Sequence, residues 1–395
     1  MTDAGAGPES GGPAGDAWDP ERPRATQVRT LTDGGQRASE VASWVSAFLR
    51  RARRSLDIAL YDFSLGEETA GPVVDAIRDG ARRGVAVRMV YNLDHDKPIP
   101  VPPPPRTSPD LLAASSVPAR GVPGVPDLMH HKYVVRDGEV VWTGSLNWTD
   151  DAWTREENVI AIVPSQAIAA AYTRNFWELW DRQRVAGTGE YTPDPVDVAG
   201  TSVRVLFSPG RGRRLAHRIA SAVGQATHRV RVCSPVMTSG PIIATLAETV
   251  AAQGIDVAGV LDATQMAEVR QQWEADGNAA WKIPVVGSIL ANAPFSGKRS
   301  TPYGPDTVHD YMHAKVLVAD DTVFLGSYNL SHSGQENAEN VLEIVDASLA
   351  DRLARFVDGL RARYPALHDF GHSALPLRGT GAAGHDVAPG MAAPP

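Results

Sequence analysis

One pattern is written twice in this chain, and it constrains the fold more than any other feature. His130, Lys132 and Asp137 stand in the order H-x-K-x4-D, and His313, Lys315 and Asp320 repeat that order 183 residues later. Gly144-Ser145-x-Asn147 follows the first copy, and Gly326-Ser327-x-Asn329 follows the second. Glu157-Asn158 and Glu339-Asn340 close the two copies. A three-residue match can arise by chance. Two matches carrying the same trailer do not, so the chain reads as a duplicated unit in which each half repeats the other.

The repeat extends beyond the motifs. Alternating, partly β-branched segments at 55–61 and 230–234 predict matching strands. Gly71-Pro72 opens a helical stretch that runs to 83, and Gly240-Pro241 opens its counterpart, ended by Gly254, because proline suits a first helical turn and glycine a helix stop. Strands at 85–90 and 255–260 follow, and amphipathic helices at 38–54 and 214–227 precede the first strand of each copy. The motif segments 132–136 and 315–319 alternate as strands and pair with 139–143 and 322–325 across tight turns. Strands at 159–163 and 341–345 and long helices at 165–184 and 347–363 complete the copies. Alternating strands and helices predict an α/β fold with a mixed sheet flanked by helices in each half. The expected division is a disordered leader over 1–25, a first domain over 26–190, a second over 191–370 and a disordered tail over 371–395. Two stretches break the symmetry. Residues 98–126 hold ten prolines, read as non-helical, and lead directly to His130; residues 291–310 lead to His313 in the same way. Both are expected to be loops walling the site and influencing substrate choice.

The residues of the repeat suit one kind of chemistry. Two ammonium groups in a cleft, Lys132 and Lys315, call for an anionic substrate. Ser145, Ser327, Asn147 and Asn329 offer hydrogen bonds at matched positions. Two histidines can divide the roles of nucleophile and acid. That set suits a phosphodiester, whose charge repels attacking anions and whose alkoxide leaves poorly without a proton. Neither half holds both histidines, so the halves are expected to face each other across one shared site. Glu157 lies 27 residues after His130 and Glu339 lies 26 after His313; each is a candidate carboxylate to orient a ring and favour its charged form. Asp137 and Asp320 fall at turns, where hydrogen bonding at strand ends is the better reading. Alternation turns His131 to the opposite strand face. His130-His131-Lys132 lacks the spacings of common zinc sites, and a lysine beside the histidine disfavours a cation, so no metal or other cofactor is expected.

LMHHKYVVRDGEVVWTGSLNWT and YMHAKVLVADDTVFLGSYNLS resemble the paired motif of the phospholipase D superfamily, and the resemblance covers most of residues 26–364. It implies a pseudo-twofold pair of α/β domains with one active site at their interface and a metal-free reaction through a covalent phosphohistidine. By that resemblance His130 is the nucleophile and His313 the general acid and later base. Lys132, Lys315, Asn147, Asn329, Ser145 and Ser327 hold the phosphate, and Glu157 and Glu339 support the histidines. The first motif looks like the small nuclease and cardiolipin-hydrolase branch, whose members carry one motif and dimerise; this chain carries both, so a monomer is expected.

Composition then bears on the substrate. The net charge is -8 and the pI is near 5.8, a balance that leans against non-specific binding to long polyanions. Arg211-Gly-Arg213-Arg214 and Lys298-Arg299 could contact nucleic acid, although a solvated face is the more common reading of such runs. The single cysteine, Cys233, reads as a buried structural thiol. No run of about 18 apolar residues would span a membrane, and the N-terminus lacks the basic and apolar regions of an export signal, which predicts a cytoplasmic protein, possibly peripheral at a membrane. A phosphodiesterase acting on a phospholipid head group, by hydrolysis or transfer, is the leading expectation. A metal-independent nuclease is the alternative, and a non-catalytic binding module on the same scaffold is the third.

Overall fold

The computed structural model describes residues 18–93, 107–275, 277–303 and 307–368. Two mixed sheets carry the two copies. The first orders its strands Gln27–Leu31, Asn158–Pro164, Val140–Gly144, Lys132–Arg136, Ser55–Leu60, Ala86–Leu93 and Ala119–Pro123. The second repeats that order as Thr201–Ser208, Glu339–Val345, Thr322–Gly326, Val316–Ala319, Arg229–Ser234, Asp256–Asp262 and Phe295–Lys298, with Val196–Val198 added at one edge. The last three strands in each order run parallel and the others antiparallel.

Alternation along the strands builds the layers. In the first motif strand Tyr133 and Val135 point inward, and Val134 points outward to a core shared with Trp142 and the helices Ala38–Arg50 and Glu67–Arg82. The inward faces of both sheets, with the helices Gln166–Arg182 and Ala347–Arg363, form one continuous core from Val28 to Leu360. The outer face of the second sheet packs separately on Gly212–Gln225 and Gly240–Ala252. The two halves are therefore joined by apolar burial, the largest favourable contribution to folding.

The structure departs from the sequence reading in several places. The proline-rich stretch is not wholly irregular: Pro109–Ser115 is helical, because Pro109 occupies the first turn and the Ser108 hydroxyl accepts from Leu111 N at 3.3 Å. Ala119–Pro123 adds a strand, and residues 94–106 lie outside the described residues. The counterpart before His313 is likewise not all loop, since Phe295–Lys298 forms an edge strand. The helix expected to open at Gly71-Pro72 starts at Glu67, with Pro72 inside it. Its first turn is satisfied from outside, as Asp150 accepts from Gly66 N at 2.9 Å and from the Thr69 hydroxyl at 2.5 Å. Residues 18–24, assigned by sequence to a leader, pack on the first half. Trp18 makes edge contacts with Trp44 and Trp142, and Arg136 donates to the carbonyls of Pro20 and Glu21. The earlier leader and the tail beyond 368 lie outside the described residues.

Candidate active site

Each histidine sits where one sheet meets the other. Met129, just before His130, bridges to Ala338, and Met312, just before His313, bridges to Glu157. The residues that follow those bridges face the opposing histidines. Glu339 lies 2.8 Å from His130 Nδ1. Asn158 occupies the equivalent place in the first half, and its Oδ1 lies 3.1 Å from His313 Nδ1. Every histidine is thus held by the other half of the chain.

Asn158 is itself oriented. Its Nδ2 donates to Ala152 O and to Glu156, both at 3.1 Å, while its Oδ1 accepts from the Ser145 hydroxyl at 2.7 Å. That polarity leaves the proton on His313 Nδ1 and the lone pair on Nε2. Glu156 also approaches His313 Nδ1, at 3.3 Å.

The carboxylate expected from sequence, Glu157, does not reach a histidine. It is fully buried against Lys298, 2.9 Å away, and accepts from the Tyr364 hydroxyl, so it ties the two halves together. Lys298 is correspondingly no nucleic-acid contact: it is 4% exposed and also donates to Arg155 O at 2.8 Å. Glu156 was missed, although a signal for it exists. It follows His130 by 26 residues, as Glu339 follows His313.

Lys132 and Lys315 repeat one geometry, each ammonium donating at 2.7 Å to the carbonyl of the histidine two residues before it. Tyr61, also missed by the sequence reading, lies 4.5 Å from both the His130 ring and the Lys132 ammonium, measured at its ring centre. The Oδ1 atoms of Asn147 and Asn329 are buried without a hydrogen-bond partner, a matched pair of groups beside the cleft.

Ser145 and Ser327, expected to hold phosphate, are fully buried and already engaged. Ser145 Oγ accepts from Val159 N at 2.9 Å and Ser327 Oγ from Asn340 N at 3.0 Å, so both fasten the strand that bears the opposing histidine's partner. The glycine before each serine has a steric cause. A Cβ at Gly144 would lie 2.1 Å from Val159 O, and one at Gly326 2.1 Å from Asn340 O. Asp137 and Asp320 stand apart from the histidines. Asp137 accepts from the backbone N–H groups of Arg53, Arg54 and Ser55, and Asp320 from those of Thr227, His228 and Arg229. His131 turns into the shared core, where Asn340 Nδ2 lies 3.1 Å from its Nδ1.

Burial dominates the electrostatics. It pushes the Glu339 carboxyl up to about 8 against the pull of Lys132, and Glu156 up to about 8 against Asn158 and Lys315. It brings Lys132 down to about 8 and Lys315 well below the ordinary lysine range, the latter helped by Lys132. Both catalytic candidates, His130 and His313, are held well below the usual histidine value by burial first and by the two lysines next. The empty site therefore favours neutral imidazoles, and an anion placed between the lysines opposes that bias. Among the described residues there is no group of three or more His, Cys, Asp and Glu side chains arranged to hold a metal ion.

Paired motifs on a duplicated mixed sheet, meeting at one buried cluster, define a phospholipase D-like protein. The family model described as "Cardiolipin synthase, PLD-like domain" matches residues 45–180 and again 219–360, and the chain belongs to the phospholipase D superfamily. It is 32% identical over 158 residues to a mitochondrial cardiolipin hydrolase of Xenopus tropicalis, a match covering 38% of this chain. The chain spans 61% of that relative's length. The crystal structure of phosphatidylserine synthase from Haemophilus influenzae superposes with a TM-score of 0.61 at 15% identity, covering 87% of this chain and 88% of that one. Polyphosphate kinase from Porphyromonas gingivalis gives 0.55 at 11% identity, over 85% of this chain and 47% of the kinase. At those identities the likeness is one of fold alone.

Proposed function

We propose that this protein is a phospholipase D-type phosphodiesterase that acts on a phospholipid head group through a phosphohistidine. The observation that carries the reading is the crossed pairing of His130 with Glu339 and His313 with Asn158 and Glu156, beside two buried lysines. Nε2 of His130 attacks phosphorus as the bond to the departing alcohol breaks, and His313 gives that oxygen its proton. Lys132 and Lys315 offset the charge gathering on the non-bridging oxygens. His313 then takes a proton from water, which attacks phosphorus and releases His130. An added alcohol in place of water gives transfer.

The difference between Glu339 and Asn158 supports this division of roles. A phosphohistidine carries positive charge in its ring, which a carboxylate at Nδ1 stabilises. An acid that must give up its proton is better served by a neutral amide at Nδ1, with a carboxyl near by. The phospholipid substrate draws support from the named activities of the cardiolipin hydrolases and the phosphatidylserine synthase that the chain resembles.

The test is head-group release from a panel of phospholipids, cardiolipin included, with added ethanol to reveal phosphatidyl transfer, alongside single- and double-stranded nucleic acid. Release of a head group with a phosphatidylethanol product is the expected result. Cleavage of nucleic acid with no lipid turnover would overturn the lipid reading. His313→Ala should accumulate acid-labile phosphate on His130; labelling of His313 in His130→Ala would reverse the roles.

A further inference from the structure

The arginine run at 211–214 belongs to a second concave site, separate from the histidine cluster. Arg204, Arg211, Arg214 and Arg218, with Leu206 and Thr192, line a cavity of about 290 Å³ on the outer face of the second half. One carboxylate meets these guanidiniums. Glu343, 5% exposed, contacts Arg204 at 2.5 Å and is paired with Arg218. Arg211 Nε donates to Glu190 O at 2.6 Å, a neutral partner. No hydrogen bond or ion pair of Arg214 is found among the described residues. The Thr192 hydroxyl, also lining the cavity, is buried without a hydrogen-bond partner. Four fixed positive charges therefore share one negative charge in a concave surface, an arrangement that attracts anions.

Comparison with the first half shows that the fold does not require this. Arg204 stands opposite Glu343 on neighbouring strands, and the equivalent register in the first sheet places Gln27 opposite Ile162. The helices differ in the same sense. Ala38–Arg50 begins with Arg37 at its cap and Glu40 three residues on, where the carboxylate accepts from Arg37 N at 2.8 Å. Gly212–Gln225 begins with Arg211 at its cap and Arg214 three residues on, with no acidic residue in its first turn. A helix N-terminus carries partial positive charge and is stabilised by carboxylates; arginines there add to that field instead of offsetting it.

We infer that this cavity binds a phosphate-type anion, either free in solution or borne by a lipid head group. Guanidinium forks match phosphate oxygens in bidentate fashion. The cavity lies toward the end of the sheet that bears the histidine cluster: Ser208 pairs with Glu339 in register, and Gly212 packs against the backbone of Gln335. A head-group phosphate held there would seat the protein on an anionic surface.

The test compares wild type, Arg211→Ala/Arg214→Ala and a control, Arg53→Ala/Arg82→Ala, that removes the same charge elsewhere. Arg204 and Arg218 are kept because they neutralise buried Glu343. Thermal unfolding checks that all three fold. Inorganic phosphate is titrated by calorimetry, and vesicles of phosphatidylcholine with and without phosphatidic acid are sedimented with each protein. Wild type and control should show a phosphate site that the cavity variant has lost or weakened at least ~10-fold, the equivalent of about 1.4 kcal/mol. Loss confined to phosphate assigns a free anion; loss of phosphatidic acid vesicles as well assigns a head group. Equal binding by all three proteins, or equal loss in the control, overturns the inference. None of these readings requires turnover, so the result stands apart from the fate of the phosphodiesterase proposal.

Discussion

Asn158 and Glu339 hold equivalent positions and differ by one charge, and the consequences begin with that difference. Glu339→Gln keeps the shape and removes the charge that a phosphohistidine ring needs, so kcat should fall about 10²–10⁴-fold. Glu157→Gln leaves Lys298 buried beside a neutral partner. It should cost roughly 3 kcal/mol in urea unfolding while kcat changes far less. A collapse of kcat in the second variant without loss of stability would restore Glu157 to the chemistry. The buried carboxyls also make a pH prediction. Glu339 and Glu156 are raised to about 8, so their favourable contribution is complete below the unfolded value near ~4.5 and is lost as pH rises through about 8. Gln at either position removes that loss. Melting temperatures of Glu156→Gln and Glu339→Gln should therefore gain on wild type between pH 5 and pH 9; a constant difference would contradict the burial argument. The sequence made the histidines, lysines and Glu339 legible because both copies carry them. It misled at Glu157 because the first copy holds two adjacent glutamates and an extra residue before its last strand, so matching Glu-Asn pairs by eye selects the wrong one. The 26-residue spacing and the strand register select Glu156 and Asn158 instead.

Among the elements, the motif strands and the long helices were readable because alternation and helical periodicity coincide there with sharp turns. Gln27–Leu31 was not, as five residues with two aliphatic side chains give little pattern. Pro109–Ser115 was hidden because proline was counted as a breaker, whereas at the first turn it initiates a helix. The third letter of the motif acts at this scale. Asp320 is held down to about 2 mainly by backbone N–H donors of residues 227–229, which outweigh its desolvation. Its contribution is therefore present above the unfolded value near ~3.9 and lost as pH falls toward about 2. Because the side chain is partly exposed, Asp320→Ala should cost about 1–2 kcal/mol, the range of a lost helix cap, and leave kcat within about threefold. Chemical denaturation and steady-state kinetics separate the two outcomes. A large fall in kcat at unchanged stability would place the aspartate in the reaction.

At the scale of the whole molecule, the shared core makes the halves one unit. Asn340 Oδ1 accepts from Thr143 and Tyr172 of the first half at 2.7 and 2.8 Å, and its Nδ2 meets His131. Asn340→Leu leaves those groups buried without it, at about 1–3 kcal/mol each, and should lower stability and activity together. Two lysines serve where another enzyme would place a cation, so chelation with EDTA should leave turnover intact; loss of activity restored by a divalent ion would argue otherwise. The crossing of partners between halves also bears on synthesis. A ribosome finishes His130 long before it reaches Glu339, so the first histidine leaves the tunnel without the group that readies it. A chain cut short anywhere in the second half is left without a working site, and the cell is spared a stray phosphodiesterase from every unfinished copy.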